Sequence, residues 1–128
     1  MRKIVVSVQN GLLAEALTGM LKISGEFEPY RAVVDRKKRT VPACTACSPD
    51  IVLMEVSQAA GATVEERMDE VHQLRDLVPD CKIVFLCDEN ISSEIAANVV
   101  ALKKSRQIDA FYYSSVTGKY LMAALYAL

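Results

Sequence analysis

The chain has 128 residues, 52% of them hydrophobic, which is enough to bury a core without help from a metal or a crosslink. With 15 Lys and Arg against 16 Asp and Glu, its net charge of -1 excludes a global electrostatic case for nucleic-acid binding and excludes an acidic tail. No apolar run reaches the length of a membrane span, so no membrane association is expected.

Met1-Arg2-Lys3 followed by Ile4-Val5-Val6 has the look of a signal peptide, but Ser7, Gln9 and Asn10 cut the apolar stretch too short for one. The expected location is the cytoplasm, and the cysteines Cys44, Cys47, Cys81 and Cys87 are expected to be free thiols.

Short apolar runs alternate with helical patterns, the signature of a parallel sheet built from βαβ units. Ile4 to Val8 reads as the first strand. Leu12, Leu13, Leu17, Met20 and Leu21 recur at helical spacing and predict a helix over 11–23, ended by Gly25. Tyr30 to Val34 reads as the second strand. Thr40 is suited to cap a short helix with Pro42 in its first turn, running to Cys47. Ser48-Pro49-Asp50 then breaks the chain before a third strand, Ile51 to Val56.

Thr63 caps the third helix, whose opening turns carry Glu65, Glu66, Asp69 and Glu70, where negative charge suits the helix dipole. Pro79-Asp80 ends it, and Lys82 to Leu86 is the fourth strand. Ser92 or Ser93 opens the fourth helix, which runs to about Lys104. Ala110 to Tyr113 is the fifth strand, and Thr117 caps a last helix to Leu128.

Five strands and five helices in strict alternation, with right-handed crossovers, predict an α/β doubly wound fold over 1–128: a flavodoxin-like three-layer sandwich with parallel strand order 2-1-3-4-5. In such a sheet function gathers at the carboxyl ends of the strands, where the strand order reverses. The residues there are Val8, Gln9 and Asn10 after the first strand, Glu55 in the third, Cys87 after the fourth and Ser114 after the fifth.

Four segments carry a resemblance. They are Lys3-Ile4-Val5-Val6-Ser7-Val8-Gln9-Asn10-Gly11-Leu12-Leu13, Pro49-Asp50-Ile51-Val52-Leu53-Met54-Glu55-Val56, Pro79-Asp80-Cys81-Lys82-Ile83-Val84-Phe85-Leu86-Cys87 and Ile108-Asp109-Ala110-Phe111-Tyr112-Tyr113-Ser114-Ser115. In this order and spacing they resemble the receiver domain of two-component response regulators, and most of all the type that precedes a helix-turn-helix DNA-binding domain. That family transfers a phosphoryl group to an Asp with a bound magnesium ion, held by acids after the first strand.

The resemblance places the acid pair on Val8 and Gln9, the phospho-acceptor on Glu55, the hydroxyl position on Cys87 and the Lys position on Ser114. Every functional position is changed. Glu55 keeps a carboxylate, but its extra methylene moves the oxygens by about 1.5 Å, and a misplacement of that order costs roughly 100-fold in rate. With the acids gone the transferring charge loses its counter-ion. The expectation is a non-catalytic pseudo-receiver with no cofactor and no metal, in which Glu55 either imitates a phosphorylated acceptor or stands solvated at the rim.

Other features were weighed against plain structural roles. Cys44-Thr45-Ala46-Cys47 has the spacing of a redox or metal pair, but zinc needs further ligands, and small apolar packing is the favoured reading. Arg36-Lys37-Lys38-Arg39 is a basic run without interleaved aromatics, favoured as a solvated connection. His72, the single histidine, is expected at the surface of the third helix.

The last helix is nearly uncharged from Lys119 to Leu128, and a helix packed on one side of a sheet should show a polar face. Leu121, Leu125 and Leu128 are expected inward. Tyr120, Ala123, Tyr126 and Ala127 are expected outward, as the surface of a homodimer or of a partner protein. A chain stopping on apolar residues also leads to the expectation of a longer natural protein, with DNA reached only through a domain outside these residues. The alternative from another class is a flavodoxin-like enzyme or redox subunit using the cysteines or a bound nucleotide, against which stands the lack of a Gly-rich phosphate loop after the first strand.

Overall fold

The computed structural model describes residues 1–33 and 39–128. Its elements are β1 (Arg2–Ser7), α1 (Gly11–Ser24), β2 (Phe27–Ala32), α2 (Thr40–Cys47), β3 (Ile51–Val56), α3 (Val64–Leu77), β4 (Lys82–Cys87), α4 (Ser93–Lys104), β5 (Ala110–Tyr113) and α5 (Gly118–Tyr126). The five strands form one parallel sheet in the order β2-β1-β3-β4-β5, as the alternation of elements predicts. No described helix is long and apolar enough to cross a membrane.

Strand pleating splits the core in two. Val5, Val52, Met54, Ile83 and Phe85 point toward α2, α3 and α4, with Val71, Leu74 and Val99 packed on them. Ile4, Val6, Leu53, Val84 and Leu86 point the other way, under Leu17 and Leu21 of α1 and Leu121 and Leu125 of α5. Both faces of β1, β3 and β4 are covered, which is why those strands read as continuous apolar runs rather than alternating ones.

Local chemistry sets the helix ends. Asn10, Thr63, Ser92 and Thr117 each cap a helix by accepting from a backbone N–H three residues on. Gly25 ends α1 in the left-handed region at φ 72°. A Cβ at Gly118, at the start of α5, would meet the sulfur end of the Met20 side chain on α1, which would have to shift.

The structure corrects several boundaries. The second strand begins at Phe27, three residues before the expected Tyr30. Glu28 and Pro29 disguise its start, but on an edge strand a proline costs no interior ladder bond, and Phe27 is buried opposite Arg2. Its expected end at Val34 lies outside the described residues, as do Arg36, Lys37 and Lys38 of the basic run. Thr40 is the first residue of α2 rather than its cap; Arg39 holds that position without a side-chain cap bond. The last helix stops at Tyr126, where Arg2 donates to the carbonyl oxygens of Leu125, Tyr126 and Leu128.

Candidate functional site

At the carboxyl edge, β1 ends with Ser7 and the chain turns through Val8, Gln9 and Asn10 into α1. Glu55 is the second-last residue of β3, on the pleat that faces α1. Its Oε1 accepts hydrogen bonds from the backbone N–H of Gln9 (2.7 Å) and of Asn10 (3.3 Å). The carboxylate therefore sits on the N-terminus of α1, where the helix dipole favours negative charge and the first turn holds no acid of its own. Gln9 sends its side-chain amide to the carbonyl of Ala60 (3.0 Å), tying the β1–α1 turn to the β3–α3 loop. Half-buried and doubly bonded, Glu55 is neither a loose solvated group nor an open ligand.

The magnesium that the receiver resemblance implies does not fit this donor set. Val8 is buried and apolar, Gln9 offers an amide already spent on Ala60, and one oxygen of Glu55 is taken by two N–H groups. Among the described residues no three His, Cys, Asp or Glu side chains converge on a metal position. Cys87 closes β4 with its thiol fully buried in the α2–α3–α4 core, so that face of the rim presents no hydroxyl. Ser114 is exposed, and its N–H donates to the Cys87 carbonyl (2.8 Å). Asp88 joins Asn10, Leu13, Glu55, Leu86 and Ser114 around a cleft of about 90 Å³. Asp88 went unnoticed in the sequence, because it lies one residue beyond the strand end that the resemblance marks.

The largest surprise is beneath the rim. Arg67 of α3 is 0% exposed, the largest fully buried side chain among the described residues. Its Nε donates to the carbonyl of Glu55 (2.7 Å), Nη2 to the carbonyl of Ser7 (2.7 Å), and Nη1 to the Ser7 hydroxyl (2.8 Å) and to Oε1 of Glu70 (3.1 Å). Glu70, expected as a solvated complement to the helix dipole, is 4% exposed and serves as the buried counter-ion. Burial pushes the Arg67 pKa down, against the upward pull of Glu70. Ser7 in turn shares a 2.6 Å hydroxyl contact with Thr40 at the start of α2. A signal was present: Val64, Arg67, Val71 and Leu74 share one helical face, with an arginine in a core slot.

The remaining candidates have structural placements. Cys44 and Cys81 are buried in the same core as Cys87, and Cys47 packs partly buried against it. Cys81 precedes β4 rather than lying on it. Burial raises all four thiols: Cys81 and Cys87 to about 12, Cys44 higher still, and Cys47 upward despite the opposing pull of Lys3. Thiols held protonated are poor nucleophiles and poor metal ligands, which accords with small apolar packing for Cys44, Cys81 and Cys87. His72 is exposed on α3. On α5, Leu121 and Leu125 are buried and Leu128 packs on the same core. Tyr120 and Tyr126 are 58% and 60% exposed, and Ala123 and Ala127 are also exposed. Tyr120 stands edge-on to Tyr112, and Tyr126 lies beneath the Arg2 guanidinium.

No family model matches the sequence, and no curated protein matches it. Solved structures do match. A LuxR-family DNA-binding response regulator from Staphylococcus aureus superposes with a TM-score of 0.77 at 13% identity, over 98% of this chain and 96% of that one. The signal receiver domain of the response regulator NarL from Mycobacterium tuberculosis gives 0.75 at 14% identity, over 97% and 92%. TrrA from Thermotoga maritima, solved with Mg(2+)-BeF, gives 0.71 at 17% identity, over 98% and 96%. The chain thus has the receiver fold from end to end. At these identities the likeness is one of architecture, and function must be argued from the side chains.

Proposed function

We propose that this chain is a pseudo-receiver: a non-catalytic signalling module of the cytoplasm that acts by protein–protein contact, without phosphoryl transfer, and governs a transcriptional output domain. The observation that carries this reading is the bond pair from Gln9 and Asn10 to Glu55 Oε1. It fills the acid pocket with the side chain at the acceptor position, so that a negative charge is fixed where the resembling family adds one transiently. Support for the output role comes from the Staphylococcus aureus neighbour, described as a DNA-binding response regulator.

The contact surface in this reading is the outward face of α5, formed by Tyr120, Ala123, Tyr126 and Ala127. Exposed aromatic residues with little charge beside them are the composition of interface centres rather than of solvated helices. The partner is a second copy of the chain, and pairing is constitutive. Sedimentation velocity with and without acetyl phosphate and magnesium tests this. Superimposable dimer profiles are expected, whereas a phosphodonor-dependent shift would refute a phosphorylation-independent module.

A further inference from the structure

Beneath the rim, one side chain that faces neither solvent nor the cleft makes four hydrogen bonds. Arg67 reaches the last residue of β1 through the Ser7 carbonyl and hydroxyl, the end of β3 through the Glu55 carbonyl, and its own helix through Glu70. The Ser7 hydroxyl carries the chain of contacts on to Thr40 of α2. Glu55 then works on the opposite side of the sheet, its carboxylate holding the β1–α1 turn. Among the described residues no buried side-chain nitrogen or oxygen lacks a partner.

We propose that Arg67 is an internal cross-link that holds the carboxyl edge in a single conformation, joining β1 and β3 to α3 directly and to α2 through Ser7. A guanidinium suits this task because it is planar, permanently charged and donates in a fixed fork. Displacing α3 would carry Arg67 and Glu70 away together, leave the Ser7 and Glu55 carbonyls in the interior without their donor and strip the guanidinium of its bonds to β1 and β3, so the alternative positions are strongly disfavoured. The loop is held from its other end as well, since Gly61 N–H donates to Oε1 of Glu66, which also accepts from the Thr63 hydroxyl. A rim so tied does not switch. This deepens the pseudo-receiver reading by naming what fixes the state, and rests on it only for that consequence.

The test is residue-resolved amide hydrogen exchange on the whole chain. The double variant Arg67→Met with Glu70→Met removes both charges and keeps the volume. Exchange at Gln9, Asn10, Ser57 and Ala43 should become about ten-fold faster or more, while Tyr30 in β2 and Leu125 in α5 keep their protection. The single variant Arg67→Lys keeps the charge without the fork and should loosen the same four amides; it carries the readout if the double variant does not fold. Unchanged rim amides in either variant, or a uniform rise across the sheet, would overturn the cross-link. Phosphorylation is read separately by mass, so failure of the clamp and failure of the pseudo-receiver reading are distinguishable.

Discussion

Glu55 Oε1 lies 2.7 Å from the backbone nitrogen of Gln9, so a side chain of β3 closes directly on the turn that follows β1. Glu55→Ala should leave the Gln9 and Asn10 N–H groups to water, at a cost of about 1 kcal/mol for partly exposed bonds. The melting temperature should fall by about 4 °C. Glu55→Gln retains an acceptor oxygen without the charge and should fall by less. Thermal denaturation of the three proteins checks the order.

Arg67 offers a sharper contrast. Arg67→Ala alone leaves Glu70 charged and unpaired in the core and should destabilise the fold by about 3–5 kcal/mol. Removing both partners as Arg67→Met with Glu70→Met should recover part of that loss, because no buried charge is then left unpaired while the Ser7 and Glu55 carbonyls still lose their donor. Urea titration of both variants measures the difference. A double variant no better than the single one would contradict the buried-pair assignment.

How much of this was legible in the sequence differs between the fold and the site. The apolar runs from Ile51 to Val56 and from Ala110 to Tyr113 coincide with their strands: β3 is covered on both faces and apolar at every position but Glu55, and the aromatics of β5 pack half-buried at the sheet edge. Thr63 and Thr117 announced two helix starts by their capping chemistry. The start of β2 was hidden because the edge position tolerates Glu28 and Pro29. The clamp was hidden for a different reason: Arg67 sits among Glu65, Glu66, Asp69 and Glu70, and local composition there reads as a solvated helix. Ser7 and the Glu55 carbonyl, distant in sequence and brought beside α3 by the sheet, join Glu70 in supplying the partners a buried arginine needs.

The thiols give a pH dependence with a definite sign. Burial raises Cys81 and Cys87 from an ordinary 9.0 to about 12, and Cys44 further, so the folded state keeps protons that the unfolded chain releases. The stabilisation is fully present below pH 9.0 and is lost as the pH climbs toward about 12. Across that window stability should fall by on the order of 1 kcal/mol per pH unit for each buried thiol. Replacing Cys44, Cys81 and Cys87 together by Ala should flatten the profile, as urea titrations on either side of pH 9.0 would show.

For α5, Tyr120→Glu with Ala123→Glu places two charges on the exposed face without touching Leu121 or Leu125 in the core. The variant should be a folded monomer by sedimentation, where the parent should be a dimer at micromolar concentration. A variant that still dimerises would move the interface elsewhere.

The most direct measurement is the intact mass of the protein after incubation with acetyl phosphate and magnesium. Val8 and Gln9 offer no acid pair, and Glu55 Oε1 is already held by two backbone N–H groups, so the mass should stay unchanged. Magnesium should likewise leave the melting temperature where it was. Addition of one phosphoryl group, mapped by peptide fragmentation to Glu55, would contradict the account.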